Sequence, residues 1–271
     1  MLAETVYRAY LRAPSHPAKL RVERWLAQML LPDQGGVFEV GDDVRLRLHP
    51  RDWIEYVLIR DAEYEPLTLK FLQQNLRSGG AAMLAGTNFG LHVVIASRAV
   101  GRDGFVVGVD PQLQALSRTR VSLALNGSFP NVRLVAAALG ATEDLLVIDD
   151  PPDANAGTAN LRQPGRGPMC AVTMRPGDVW RALGHAQPSP DLMLLDVEGF
   201  EGNVLAGFDP LFRPRTLVVE IWDPFLREVG SSRAQVCAQL RQLGYRLFTI
   251  DGHEAVDDTV LPEHNIVARH L

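Results

Sequence analysis

Nowhere in the 271 residues does an apolar run approach the roughly 18 residues that a membrane span requires, so no membrane partner is expected. Cysteine is scarce as well. Cys170 and Cys237 are the two in the chain and lie far apart, which excludes a disulfide framework and a metal knuckle; both read as reduced core residues of a cytoplasmic protein. The N-terminus lacks a positively charged segment followed by an apolar one, so no secretion signal is expected. A sustained basic run is missing too. With 27 Lys and Arg against 32 Asp and Glu the net charge is −5, which disfavours nucleic acid as a partner. The histidines show no metal-ligand spacing, and no metal site is assigned. Internal repeats are also lacking.

What the chain does have is a 46 % hydrophobic share, enough to bury a sizeable core, and a length that suits one large α/β domain with an N-terminal extension or two small domains. Residues 1–31 carry helical periodicity, broken between Pro14 and Pro17, and read as a packed cap or an oligomer contact. Val37–Val40 and Val44–Leu48 predict a hairpin, since Val44, Leu46 and Leu48 alternate with arginines. Trp53–Ile59 suits a short helix, and Glu65–Leu76, opened by Pro66, a better one. We therefore divide the chain into an extension, 1–78, and a main domain, 79–271. From Ala81 onward strands and helices alternate. Strands are expected near 82–86, 105–109, 132–136, 191–196, 215–221, 245–250 and 265–269, with helices near 90–100, 112–126, 177–184, 200–206 and 231–243. Such alternation predicts a mostly parallel sheet with helices on both faces. Residues 140–175 interrupt it with a strand candidate, Leu145–Ile148, a Pro/Gly/Asn-rich stretch from Pro151 to Pro168 and another apolar run around Val172; a loop this long is the mark of a lid, a binding loop or a mobile insertion.

Two stretches carry the candidate chemistry. Residues 81–90, Ala-Ala-Met-Leu-Ala-Gly-Thr-Asn-Phe-Gly, read as a buried strand running into a glycine turn with a helix behind it. Gly86 and Gly90 can take positive φ and let the backbone approach a ligand near helix N–H groups. The glycines alone also suit an ordinary β–α turn. Asp110 tips the reading toward a cofactor site, because it ends the next apolar run 24 residues after Gly86, where a carboxylate can meet a ribose hydroxyl. The second stretch is Asp191–Glu201. Its strand ends at Asp196, on the edge where open α/β sheets bind ligands. Asp196 and Glu198 can act as a base, hold a substrate hydroxyl or ligate a hard cation; a helix cap and a solvated side chain are the plainer alternatives. Glu220 ends the neighbouring strand and may be read either as lining the acceptor site or as an arginine partner. His92, at the helix start, reads as structural, and Asn126 first as a helix C-terminal residue.

Tyr64-Glu65-Pro66, Gly86-x-Asn88-x-Gly90, Val109-Asp110-Pro111, Asn126, the Asp196-Val-Glu-Gly-x-Glu201 block and Val219-Glu220-Ile221 together resemble the FkbM family of S-adenosylmethionine-dependent methyltransferases. The resemblance spans about residues 60–270. It implies a Rossmann-like class I sheet of seven strands, mostly parallel with an antiparallel last strand, and methyl transfer to a hydroxyl of a small molecule such as a sugar or polyketide. By the same resemblance Glu65, Gly86, Thr87, Asn88, Gly90, Asp110 and Asn126 serve the cofactor, while Asp196, Glu198 and Glu220 serve catalysis. A homo-oligomer through the extension is expected. Two positions depart from the family pattern: Leu84 stands where an acid usually helps hold the cofactor's ammonium, and Leu194 where a lysine is common. Losing one charge-assisted hydrogen bond costs on the order of 1.5–3 kcal/mol, roughly ten- to a hundredfold in affinity. The alternative is a non-catalytic binding or scaffolding protein of the same fold. A nicotinamide dehydrogenase fits less well, since the glycines lack Gly-x-Gly-x-x-Gly spacing.

Overall fold

The computed structural model describes every residue except 1, 32–34, 42, 128, 149–160, 163–168, 256–263 and 271, with the side chains of 2–4, 161 and 162 also left aside. Two helices open the chain, α1 (Leu2–Leu11) and α2 (Lys19–Leu30), followed by the hairpin β1 (Gly36–Val40) and β2 (Val44–Leu48). In β2 the alternation holds: Val44, Leu46 and Leu48 are buried and Arg45 and Arg47 exposed. Then come α3 (Trp53–Asp61), capped by the Asp52 carboxylate on the N–H groups of Ile54 and Glu55, and α4 (Pro66–Asn75), with proline in its first turn.

The main sheet begins at β3 (Ala81–Ala85). It continues through α5 (Leu91–Val100), β4 (Phe105–Asp110), α6 (Leu113–Leu125), β5 (Val132–Ala136), a two-residue β6 (Ala138–Leu139), β7 (Asp144–Ile148), β8 (Leu161–Arg162) and β9 (Met169–Met174). After these follow α7 (Pro176–Ala182), β10 (Leu192–Leu195), α8 (Glu201–Ala206), β11 (Thr216–Glu220), α9 (Asp223–Glu228), α10 (Arg233–Gln242), β12 (Tyr245–Thr249) and β13 (Asn265–His270). Seven of these strands form one sheet in the order β12-β13-β11-β10-β3-β4-β5. Neighbours are parallel except that β13, the last strand in the chain, runs antiparallel to both β11 and β12. The expected seven-stranded Rossmann-like sheet is therefore the observed one, and the strand bounds agree to within one residue.

Strands β3 and β10 are buried along their whole length, as parallel strands covered on both faces must be. Alternate residues feed two cores. Ala82, Leu84, Leu192 and Leu194 pack with α5 and with Tyr7, Phe38, Leu46 and Tyr56 of the extension. Ala81, Met83, Met193 and Leu195 pack on the other face with Trp180, Val204 and Leu240. One sheet face thus has its core completed by the extension, and the buried Glu55 carboxylate ties α3 to α6 through Arg118.

Two details differ from expectation. Helix α9 is absent from the sequence pattern, and residues 140–175 are more structured than a loop. Strands β7 and β9 pair antiparallel, Leu145 opposite Val172, in a four-stranded sheet of order β6-β9-β7-β8. Pairing partners on either side of a Pro/Gly-rich stretch cannot be seen in a local window. Most of that stretch, 149–160 and 163–168, lies outside the described residues.

Candidate active site

The site lies at the carboxyl ends of β3, β4, β10 and β11. Past Ala85 the chain turns sharply: Gly86, Asn88 and Gly90 all have positive φ, at 84°, 46° and 88°. Gly86 is held against β10 so closely that a Cβ there would fall 1.8 Å from the Asp196 carbonyl oxygen, and a Cβ at Gly90 would meet the Thr119 Cα at 2.7 Å. Only glycine fits either place. Asp110 fixes the loop from the neighbouring strand. Its Oδ2 accepts from the Thr87 N–H at 2.8 Å, the Thr87 hydroxyl at 3.1 Å and the Asn88 N–H at 3.4 Å, while Oδ1 accepts from the Gln112 N–H at 2.9 Å. Burial raises the Asp110 carboxyl above its usual range, and these four bonds work against that rise. Asp110 is 4 % exposed, so it braces the turn as well as facing the cavity beside it.

The Asp196–Glu201 segment forms the opposite wall. Asp196 continues the ladder, its N–H donating to the Ala85 carbonyl at 3.1 Å. Glu198 has a left-handed φ of 55°, and Gly199, at 99°, leaves no room for a Cβ, which would sit 2.6 Å from the Phe225 carbonyl oxygen. The Glu201 carboxylate closes this turn by accepting from the N–H groups of Val197 at 2.9 Å and Gly199 at 3.3 Å. Burial pushes Glu201 up to about 7. Glu198 is raised further, by burial first and then by Asp196 and Glu201, and its Oε2 is buried with no hydrogen-bond partner among the described residues.

Glu65, Asp196, Glu198 and Glu220 come together here with Tyr64 and His92. Glu220 is raised by burial first and then by the facing Asp196 and Glu198. Burial also raises Asp196, with Glu65 adding to the rise and His92 opposing it. Burial alone would raise Glu65, yet His92 and the hydrogen bonds from Tyr64 and Thr68 hold it below its usual range. The His92 Nε2 stands 3.5 Å from Glu65 Oε2, a contact that overcomes burial and raises the imidazole. Glu65, Asn88 and Glu198 are three of only five non-glycine residues with positive φ among those described. Such strain gathers where surroundings over-determine a functional geometry.

Two cavities meet at this cluster. The first, about 840 Å³ of atom-free space, is lined by the Gly86–Phe89 loop, His92, Asp110, Leu139, Asp196, Glu198 and Phe200. The second, about 990 Å³, is lined by Glu65, Thr68, Glu220, Trp222, His264 and Asn265. Gly86, Thr87, Asn88, Asp110, Asp196 and Glu198 are thus gathered on the first cavity. Glu65 lies on the second, its Oε2 accepting from the Asn265 amide at 3.0 Å, so the structure sets it apart from the other residues expected at the cofactor. Asn126 is in neither lining. Its side chain clamps the hairpin to α6 instead, accepting from the Arg45 N–H at 2.9 Å and donating to the Arg45 and Ser122 carbonyls. Sequence reasoning missed the Glu201 brace and the Glu65–His92 pair; the former had a signal in the third acid of Asp-x-Glu-Gly-x-Glu, the latter none. Leu84 and Leu194, the two departures, are direct partners in the β3–β10 register and both buried, so an acid and a lysine at these positions would stand side by side. Here an apolar pair fills the place of both. Neither charge is left unpaired in the core. No group of three or more His, Cys, Asp or Glu among the described residues is arranged to hold a metal ion, and no described helix is long and apolar enough to cross a membrane.

Comparison with solved structures finds similarity to an S-adenosylmethionine-dependent O-methyltransferase from Thermotoga maritima, 10 % identical with a TM-score of 0.47, covering 91 % of this chain and 81 % of that one. A protein titled an rRNA methylase, from Clostridium thermocellum, is 11 % identical with a TM-score of 0.47, covering 75 % of this chain and 93 % of its own. A precorrin-6y C5,15-methyltransferase from Geobacter metallireducens is 13 % identical with a TM-score of 0.45, covering 77 % and 89 %. No curated protein matches the chain. The family model described as the methyltransferase FkbM domain matches residues 85–247, from the glycine turn to β12 and more than half the chain. By that match the chain belongs to the FkbM methyltransferase family.

Proposed function

We propose that the protein is an S-adenosylmethionine-dependent O-methyltransferase that acts on a hydroxyl of a small molecule. The observation that carries this reading is the first cavity, in which a strained glycine turn and Asp110 flank one side and Asp196 and Glu198 the other. Its residues fit the cofactor. The absent Cβ at Gly86 brings main chain to the cavity edge, the Asp110 Oδ1, which accepts only from the Gln112 N–H, is open to a ribose hydroxyl, and Asp196 supplies the negative charge that a cationic cofactor needs. When bound, S-adenosylmethionine supplies a methyl group on an electrophilic sulfonium.

The protein's own work is alignment. A hydroxyl attacking a methyl group needs position more than strong base, and effective molarity supplies much of the rate. Asp196, on the wall of the first cavity, orients the acceptor hydroxyl and takes its proton, with Glu220 and Glu198, both raised by burial, beside it. Among the described residues neither cavity is lined by a lysine or arginine, which disfavours a phosphate-bearing acceptor and so nucleic acid. Residues 1–78 act as the cap and 79–271 as the transferase unit. With the two leucines at 84 and 194, affinity for the cofactor is expected in the micromolar to submillimolar range rather than tighter, since one charge-assisted contact is missing. Asp196→Ala should leave cofactor affinity within about threefold and reduce turnover by roughly a hundredfold or more. Unchanged turnover in that variant would refute the assignment of Asp196.

A further inference from the structure

The two cavities share one lining residue, Tyr64. It stands within the extension, just before α4, with its ring edge-on to Phe89 at 5.7 Å and tilted against His92 at 6.4 Å. Both of those neighbours belong to the first cavity. The next residue in the chain, Glu65, lines the second. Asp196 and Glu220, one at each cavity, also act on the phenol, which together with burial keeps it protonated. Tyr64 is therefore a wall with one carboxylate-lined space on either side, held by the packing of its ring on Phe89 and His92.

We propose that Tyr64 is the partition between the cofactor pocket and an acceptor pocket formed by Glu65, Glu220, Trp222 and Asn265, and that its ring sets how large a group can project from the cofactor's sulfur toward the acceptor. This rests on the cofactor reading above. It assigns the second cavity to the acceptor and makes Tyr64 a specificity-determining residue. The carboxyl groups at 65 and 220, the half-exposed indole of Trp222 and the absence of Lys and Arg among the described residues of this lining suit an uncharged or cationic alcohol with a ring face for the indole.

A binding experiment without any acceptor tests it. Two probes are titrated calorimetrically into the full chain: S-adenosylhomocysteine, and the nitrogen-for-sulfur analogue of S-adenosylmethionine bearing a benzyl group where the methyl stands. The wild-type protein should bind the benzyl probe at least about tenfold more weakly than S-adenosylhomocysteine, because the ring must be forced against a filled wall. In Tyr64→Ala the two cavities join, and the gap should close to within about threefold. Tyr64→Val serves the same end if the alanine variant does not melt cooperatively, and Tyr64→Phe, which keeps the wall, should bind as wild type does. Phe200→Ala opens the first cavity at another wall and should give no gain. If Tyr64→Ala or Tyr64→Val holds S-adenosylhomocysteine yet leaves the benzyl probe weak, or if Phe200→Ala is the variant that admits it, the partition is elsewhere and the proposal is overturned. Failure of wild type to bind S-adenosylhomocysteine would instead overturn the cofactor reading.

Discussion

Replacing Gly86 by alanine isolates the close approach on which the cofactor turn depends. Two costs arise. The first is the backbone: at φ 84° an L-residue loses about 1–2 kcal/mol. The second is contact, since the new Cβ would lie 1.8 Å from the Asp196 carbonyl oxygen, against a limit near 3.0 Å below which something must shift. What must shift is main chain on both sides, the turn or the end of β10, and forcing atoms into packed structure adds about 1–3 kcal/mol or more. The sum is about 2–5 kcal/mol of stability, together with a cofactor turn pushed off β10. Gly184→Ala is the matched control. Gly184 has φ 73° and nothing within 4 Å of its would-be Cβ, so it carries the backbone cost alone, about 1–2 kcal/mol. Denaturant melts of both variants measure the stability difference, and calorimetry with S-adenosylhomocysteine measures binding, expected to fall at least about thirtyfold in Gly86→Ala and to stay near wild type in Gly184→Ala. Equal melting of the two variants, with binding retained in Gly86→Ala, would refute the claim that the turn is held by contact with Asp196.

Other consequences can be measured in the same preparations. Glu55 and Glu201, whose ordinary value is 4.5, are both pushed up to about 7, by burial in each case. A carboxyl raised on folding keeps its proton where the unfolded chain has lost it, so stability is fully present below about pH 4.5 and declines as pH rises toward 7. Burial would lower His92, but Glu65 raises it overall, and loss of its proton acts in the same direction. The cofactor-free protein should therefore melt lower at pH 8 than at pH 5.5, by about 2–4 °C for each kcal/mol lost; a higher melting temperature at pH 8 would contradict this. Deleting residues 1–78 removes Tyr7, Phe38, Leu46 and Tyr56 from the core shared with Leu84 and Val94, so the remaining 79–271 should show no cooperative melt. A folded, cofactor-binding fragment would show that the extension is dispensable. Glu201→Gln keeps an oxygen for the Val197 and Gly199 N–H groups and should preserve most turnover, whereas Glu201→Ala frees the turn carrying Glu198 and should cut it by about tenfold or more, read as kcat in a methyl-transfer assay.

The sheet was legible because its signals are local. Buried parallel strands such as Met83-Leu84-Ala85 and Leu192–Leu195 are continuous apolar runs, and Gly86, Gly90 and Gly199 mark turns that admit no side chain. Asp110, Asp196 and Glu220 could be placed on one edge because strand ends in a parallel sheet share a side. What escaped depended on contacts distant in sequence. Glu65 meets Asn265 across 200 residues, which draws it to the second cavity, and Asn126 is claimed by Arg45 of the hairpin, which draws it away from both. The pairing of β7 with β9 crosses a stretch without periodicity. Leu84 and Leu194 each read as a lost charge in sequence; their register shows them to be one exchange, a side-by-side apolar pair.

The most direct test of the account is calorimetric titration of the full chain with S-adenosylmethionine, with Asp110→Ala as the companion variant. Asp110 holds Thr87, Asn88 and Gln112 in place, so its loss should both loosen the turn and remove the ribose partner. The account predicts one cofactor per chain in the wild type and a dissociation constant at least about tenfold weaker in Asp110→Ala. Absence of binding to the wild-type protein at millimolar S-adenosylmethionine would contradict it, and would leave the same fold as a scaffold without transfer.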